Sequence, residues 1–241
     1  MILAGVDLAW QSENNPSAIA YGNIVDNVLS VSVIDPVVYG IDSVFDRLNG
    51  IEGLLGVSID APLIINNTSG QRICENEISR AYGSRGATCH TSNTKLYPDA
   101  KSVHLSKRML EAGFSHLKGE RWQIECYPHP AIIEIFGLNE RLKYKKGTVA
   151  DKRAGQKTLA ALLRELNSSS TLRLTISGEG SRILDESNID SLRGQALKSN
   201  EDALDSVLCL YIAGLYAIEY SGQVFGDSSS GYIWVPRGVC M

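Results

Sequence analysis

The sequence predicts an α/β protein built on a mixed sheet, and three observations carry that expectation. The first is the opening run Met1-Ile-Leu-Ala-Gly-Val-Asp-Leu-Ala-Trp10, a string of strand formers that delivers one acid, Asp7, near its end. The second is recurrence: Gly56-Val-Ser-Ile-Asp60 and Trp122-Gln-Ile-Glu125 are further short strand-like runs closing on a carboxylate. The third is alternation. Strand runs give way to helical spacings that supply crossovers, and a late segment, apolar on nearly every side past Asp205, reads as a buried helix able to cover a sheet. A carboxylate at the end of a buried strand is costly unless it is paired or bound to a cation. Three such strands imply one shared acidic pocket.

Taken in order, residues 11–16 are a polar turn, and residues 17–22 and 28–34 are strands split by the Asp26-Asn27 turn signal. Three sequential strands with short turns make an antiparallel meander. Ile41, Val44, Phe45 and Leu48 then fall at helical spacing, and Asn49-Gly50 stops the helix. Leu54–Asp60 returns as a strand beside the first, which makes the sheet mixed. A loop follows at 61–70, a short helix at 71–82, and a polar stretch at 83–97 that reads as an ordered loop lining the site. Residues 99–113 read as a helix, 121–126 as a strand, and Pro130 as the start of a helix running to Phe136. Leu159, Leu162, Leu163 and Leu166 mark an amphipathic helix, after which residues 168–199 are poorly readable. The last helix is expected from about Asn200, capped by Ser199 or Asn200, and residues 231–236 as a final edge strand. The whole chain reads as one domain, 1–241, with an insertion at about 63–120.

Bulk properties narrow the setting. Hydrophobic residues are 44% of 241, ample for a substantial core, and the formal net charge of −4 announces neither a nucleic-acid nor a membrane partner by itself. No apolar run reaches the roughly 18 residues of a spanning helix and no leader pattern precedes the first strand, so no membrane association is expected. Cys74, Cys89, Cys126, Cys209 and Cys240 are odd in number and form no C-x-x-C pair, which suits reduced thiols and a cytoplasmic protein.

Charge is uneven along the chain. Arg141, Lys143, Lys145, Lys146, Lys152, Arg153 and Lys157 face one acid, Asp151, a local surplus of six positive charges. A solvated helix face is the commoner reason for such a run, but beside an acidic site it is also what a polyanion's phosphates need. Asp202 and Asp205 sit three apart, on one face of the last helix. Acids near a helix start stabilise it through the dipole, which accounts for Glu201 and Asp202 more readily than for Asp205. Asp7, Asp60, Asp202 and Asp205 form a cluster that cannot stay ionised together without cations. Mg²⁺ or Mn²⁺ are the natural guests, since two such ions about 4 Å apart can activate a water and stabilise the leaving oxygen of a phosphodiester.

Gly5-Val-Asp-Leu-Ala-Trp10, Ser58-Ile-Asp-Ala-Pro62, Arg72 with Cys74-Glu75, Arg85-Gly-Ala-x-x-His90, Glu125-x-Tyr-Pro128, Leu142-Lys-Tyr-Lys145 and Asp202-Ala-Leu-Asp205 together resemble the domain-of-unknown-function family 429, whose members are predicted RNase H-like nucleases. The resemblance runs nearly end to end and rests on the order and spacing of the motifs. It implies an RNase H-like fold with a five-stranded mixed sheet and flanking helices, and a metal-dependent nuclease hydrolysing phosphodiester bonds by a two-metal carboxylate mechanism. The order of acids is most similar to the Holliday-junction resolvase RuvC, which implies Asp7, Asp60, Asp202 and Asp205 as catalytic, although Asp60 stands where RuvC has a glutamate. Asp7, Asp60, Asp205 and Glu125 are the expected metal ligands, and Arg72, Arg85, His90, Lys143 and Lys145 the expected phosphate-binding residues. The partner is then nucleic acid or another phosphoester, and junction cutting would favour a homodimer.

Other readings compete. A non-catalytic nucleic-acid or ligand-binding protein could keep this fold, since fold alone does not establish function. An actin-like phosphotransferase would need glycine-rich phosphate loops that Asp7-Leu-Ala-Trp-Gln lacks. A zinc site from Cys89-His90 and Cys126-x-x-His129 matches no common spacing, and a Ser-His-Asp hydrolase would need a G-x-S-x-G elbow.

Overall fold

The computed structural model describes residues 1–12 and 14–238. β1 (Ile2–Asp7), β2 (Pro16–Val25) and β3 (Val28–Tyr39) form the expected antiparallel meander. Asp26 and Asn27 both take positive φ, 48° and 58°, the hairpin geometry that follows the strand twist. α1 (Ile41–Asn49) carries the chain to β4 (Leu54–Asp60), which lies parallel to β1. Then come α2 (Ile73–Tyr82), α3 (Lys101–Glu111), β5 (Ser115–His116), β6 (Trp122–Glu125), α4 (Pro128–Ile135), α5 (Val149–Glu165), β7 (Arg173–Ile176), α6 (Glu186–Ser191) and α7 (Gly194–Ala217). A hairpin of β8 (Gly222–Asp227) and β9 (Gly231–Pro236) follows.

The result is a mixed α/β fold whose main sheet has seven strands in the order β5-β6-β4-β1-β2-β3-β7. Two short edge strands, β5 of two residues and β7 of four, take it beyond the five expected. β7 lies in the stretch that could not be read, where Leu172 to Ile176 is too short to carry a period. β9 is not an edge of the main sheet. β5 already occupies the outer side of β6, so β9 pairs with β8 in a separate sheet and meets the main one through a Cys126–Trp234 bridge and the Tyr232 hydroxyl, which donates to the Gln123 carbonyl at 2.9 Å.

Side chains alternate across the sheet and split the core in two. Leu3, Ala20, Leu29 and Ile124 pack under α4, α5 and α7, while Ala4, Val6, Ile19, Val57 and Ile59 pack under α1 and α3. A third cluster joins α2 to the β8–β9 hairpin through Cys74, Ile78, Tyr82, Phe225 and Ile233. α7 crosses β1 at Gly5, where a Cβ would stand 2.0 Å from the backbone nitrogen of Leu210. Only glycine permits that approach. α7 also starts at Gly194, well before Asn200, so Asp202 and Asp205 lie beyond its first two turns and the helix-dipole account of them lapses. Asn200 is no cap: its side chain donates to Gln156 Oε1 at 3.0 Å.

Candidate active site

Register brings the first two acids together. Asp7 pairs across from Asp60 where the parallel strands β1 and β4 end, and both share the sheet face of Gly5, Ser58 and α7. The close crossing at Gly5 lowers the third turn of α7 onto the same spot, with Asp205 fully buried. Asp205 Oδ1 accepts from the buried Tyr144 hydroxyl at 2.6 Å, and its Oδ2 is 2.7 Å from Lys145 Nζ. The same ammonium lies 4.0 Å from Asp60 Oδ2. Tyr144 and Lys145 reach this position because the 143–144 backbone is pressed on α5 at Gly155, where a Cβ would stand 2.1 Å from the Lys143 carbonyl oxygen.

One lysine does not balance three acids. Burial raises the Asp7 carboxyl well above its usual range; Lys145 works against that and Asp205, Asp60 and Asp202 add to it. Burial likewise raises Asp60 to about 7, with Lys145 opposing and Asp205 and Glu125 reinforcing. Burial would lower Lys145, yet the surrounding charges, Asp205 foremost, hold it well above its ordinary value. Burial and mutual repulsion therefore favour the protonated form of Asp7 and Asp60, which would carry surplus negative charge only once ionised. Asp202 lies alongside but is engaged by Lys198, one turn earlier, whose ammonium also meets Glu201 at 2.9 Å.

Glu125 does not join the pair. It sits opposite Ile59 rather than Asp60, so its side chain leaves the sheet on the other face. There Arg72 holds it with a two-pronged contact of 2.6 and 2.9 Å, and the Leu63 backbone N–H donates to it at 2.9 Å. Arg72, buried, also donates to Glu75 Oε1 at 2.8 Å and to the Ile64 carbonyl at 3.1 Å, so its guanidinium is engaged mainly by Glu125, Glu75 and the Ile64 backbone. Arg85 is spent on the Asn139 carbonyl at 3.1 Å, the Leu138 carbonyl and Glu134. The remaining expected residues do come together: His90, Lys143 and Lys145, with Arg141 and Lys146, line a cavity of about 1120 Å³ over Asp7 and Asp60.

Tyr144, which lines this cavity, and Lys198, which holds Asp202 beside it, were not singled out as site residues from the sequence, and His129 was weighed only as a zinc ligand. Tyr144 was detectable as the lone aromatic residue in a basic run, a sign that the segment is pinned rather than solvated. Lys198 was detectable from its i,i+4 spacing to Asp202. His129 at the start of α4 lines the cavity too, between the rings of Tyr127 and Tyr144 at 5.7 and 5.6 Å. Burial first, then Lys145, lowers it to about 4, so its ring is neutral near neutral pH. Its buried Nδ1 has no hydrogen-bond partner.

As the side chains stand, no group of three or more His, Cys, Asp or Glu among the described residues could hold a metal ion. At this pocket the Lys145 ammonium is placed against Asp205 and near Asp60 as a counter-charge. The donor chemistry nonetheless fits a hard divalent cation: the converging groups are carboxyl oxygens, which a bound cation would keep ionised. The four described cysteines are free, and Cys126 and Cys209 touch sulfur to sulfur at 3.5 Å in the core, while Cys240 lies outside the described residues. No helix among the described residues is long and apolar enough to cross a membrane.

Fold and site together define a mixed α/β protein with a carboxylate pocket at the ends of two parallel strands, roofed by a lysine-rich strap. The chain belongs to the family described as "Protein of unknown function (DUF429)", which matches residues 5–229. No curated protein and no solved structure matches it.

Proposed function

We propose that the cavity over Asp7 and Asp60 is the active site of a divalent-metal-dependent phosphodiester hydrolase, a nuclease of RNase H-like architecture. One observation carries the reading: two in-register carboxyls at adjacent strand ends, joined by a buried third from α7, share Lys145 as a close counter-charge, and further basic side chains line the cavity over them. The order of the five central strands, β3-β2-β1-β4-β6 with the meander first and parallel strands after, supports the architecture.

Asp7, Asp60 and Asp205 would hold Mg²⁺ or Mn²⁺, which when bound supplies a water nucleophile at neutral pH and stabilises the leaving oxygen. Tyr144 fixes the Asp205 carboxylate, and Lys145 supplies the charge balance of the ion-free pocket. Lys143, Arg141 and Lys146 draw in the phosphodiester backbone. Asp202 is kept beside the pocket by Lys198, and Glu125 with Arg72 anchors the Leu63–Ile64 backbone just past β4. These two are supporting acids in this reading, not ligands.

The test is Mn²⁺-dependent cleavage of single-stranded, duplex and branched oligonucleotides by wild type, Asp7→Asn and Asp205→Asn. Wild type should cut at least one substrate and both variants none. A second reading, a non-catalytic binder, is favoured by the Lys145–Asp205 ion pair, which partly neutralises the site without metal. Substrate binding by a wild type that neither cleaves nor gains stability from Mn²⁺ would select it.

A further inference from the structure

Trp10 follows Asp7 by three residues, a chain reach of at most about 10 Å. It lines the cavity over Asp7 and Asp60, a second of about 510 Å³ on its far side, and a third of about 110 Å³ beside Asp60, so all three meet at this one side chain. Trp10 is only partly buried, and its inner part packs on the core beneath α1 and α3. Tyr97 meets it with ring centroids 4.6 Å apart and planes at 63°, bracing the indole rather than stacking flat on it. Gln11 donates to the Tyr97 hydroxyl at 3.3 Å and helps to hold that brace. A braced, part-exposed indole that borders three cavities is a platform for a planar ring.

The charge around it selects the ring's owner. On the side of Asp7 the larger cavity carries Arg141, Lys143, Lys145 and Lys146, groups that suit phosphates. On the far side the lining is Gln11, Ser12, Asn14 and Tyr97, with Lys101 already paired to Asp99 at 2.8 Å. Phosphate-binding groups on one side and an aromatic shelf on the other match a nucleotide. The larger cavity alone exceeds the roughly 300–1,000 Å³ typical of a small-ligand pocket, and Trp10 borders a second cavity besides, which suits an occupant longer than a mononucleotide.

We infer that the site takes single-stranded nucleic acid, with a base stacked on Trp10 next to the phosphodiester presented to Asp7 and Asp60. Bases of a paired duplex have their faces covered by neighbours, so a stacking shelf selects unpaired strands. This rests on the phosphodiesterase reading for its placement of the scissile bond, but its test does not require cleavage.

The experiment is fluorescence anisotropy in EDTA with a labelled oligothymidylate of about ten nucleotides, the size range of a single-strand binding module. A duplex of matched length and thymidine monophosphate serve as competitors. Wild type should bind the single strand tighter than the duplex, with the monophosphate a weak competitor. Trp10→Ala should weaken binding about 5- to 150-fold, the loss of one base's stacking partner, and Trp10→Phe should restore most of it. Asp7→Asn should bind in EDTA at least as tightly as wild type, since it removes negative charge from the floor, while losing Mn²⁺-dependent cleavage. Duplex bound as tightly as single strand, full competition by the monophosphate, no effect of Trp10→Ala, or no binding at all would each overturn the inference. Binding without cleavage would sink the hydrolase reading alone.

Discussion

Asp60→Asn isolates the cost of ionising a buried acid in the pocket. In the folded protein Asp60 is raised to about 7 from an ordinary 3.8, chiefly by burial and against the pull of Lys145. A carboxyl raised on folding costs nothing below its unfolded value, and the cost grows as pH climbs until the folded value is passed. Metal-free wild type should therefore lose stability between about pH 4 and pH 7. Roughly three units correspond to ~4 kcal/mol at 1.36 per unit. The side chain keeps 20% exposure and shares its field with Asp7 and Asp205, so about half of that is the working figure. Asp60→Asn removes a charge at nearly constant shape and leaves Lys145 paired to Asp205 at 2.7 Å, so no partner is stranded. Urea denaturation in EDTA should find the variant ~2 kcal/mol more stable than wild type at about pH 8 and no more stable at about pH 4. Mn²⁺ at a hundred times its dissociation constant should return about 2.7 kcal/mol to wild type and little to the variant. A variant less stable than wild type at pH 8, or a wild type whose stability does not fall over that range, would refute the account of Asp60 as a buried acid that is costly to ionise.

Other perturbations address other parts of the design. Lys145→Met removes the cation beside Asp205 and Asp60 and should tighten Mn²⁺ binding about tenfold by calorimetry; weaker binding would mean that the lysine organises the acids rather than competing for them. Arg72→Met leaves Glu125 and Glu75 buried without their shared partner and should cost about 3–5 kcal/mol in denaturant, whereas a loss under about 1 kcal/mol would show that Glu125 does not depend on it. Gly5→Ala forces α7 off β1 and should cost roughly 1–3 kcal/mol or more, together with weaker Mn²⁺ binding as Asp205 is lifted away. Unchanged stability would contradict the close crossing.

How much of this was legible follows from which signals are local. β1 and β4 could be bounded at Asp7 and Asp60 because an apolar run ending in an acid is written in consecutive residues, and Asp26-Asn27 announced its hairpin by residue type alone. The basic run at 141–157 and the paired acids on the late helix were likewise visible, and so was membership of the family. Glu125 shows where locality fails. Its strand was recognisable, but the face its side chain takes depends on lying opposite Ile59, and a shift of one residue would have turned it toward Asp60. The start of α7 was hidden because residues 194–199 carry no strong apolar period and no capping side chain.

The sequence by itself determined the mixed α/β class, the strand ends that bear Asp7 and Asp60, and the composition of a site rich in carboxylates and lysines. All of these are set by side-chain period, turn propensity and charge within a few residues. Only the tertiary structure decided which charges meet. Lys145 reaches Asp205 across 60 positions of sequence and Tyr144 across 61, the Arg72 guanidinium rather than a metal ion is placed against Glu125, and Trp10 borders three cavities. Ion pairing and burial act through space, and the distances that govern them come into being when α7 seats on β1 at Gly5 and the 143–144 backbone seats on α5 at Gly155.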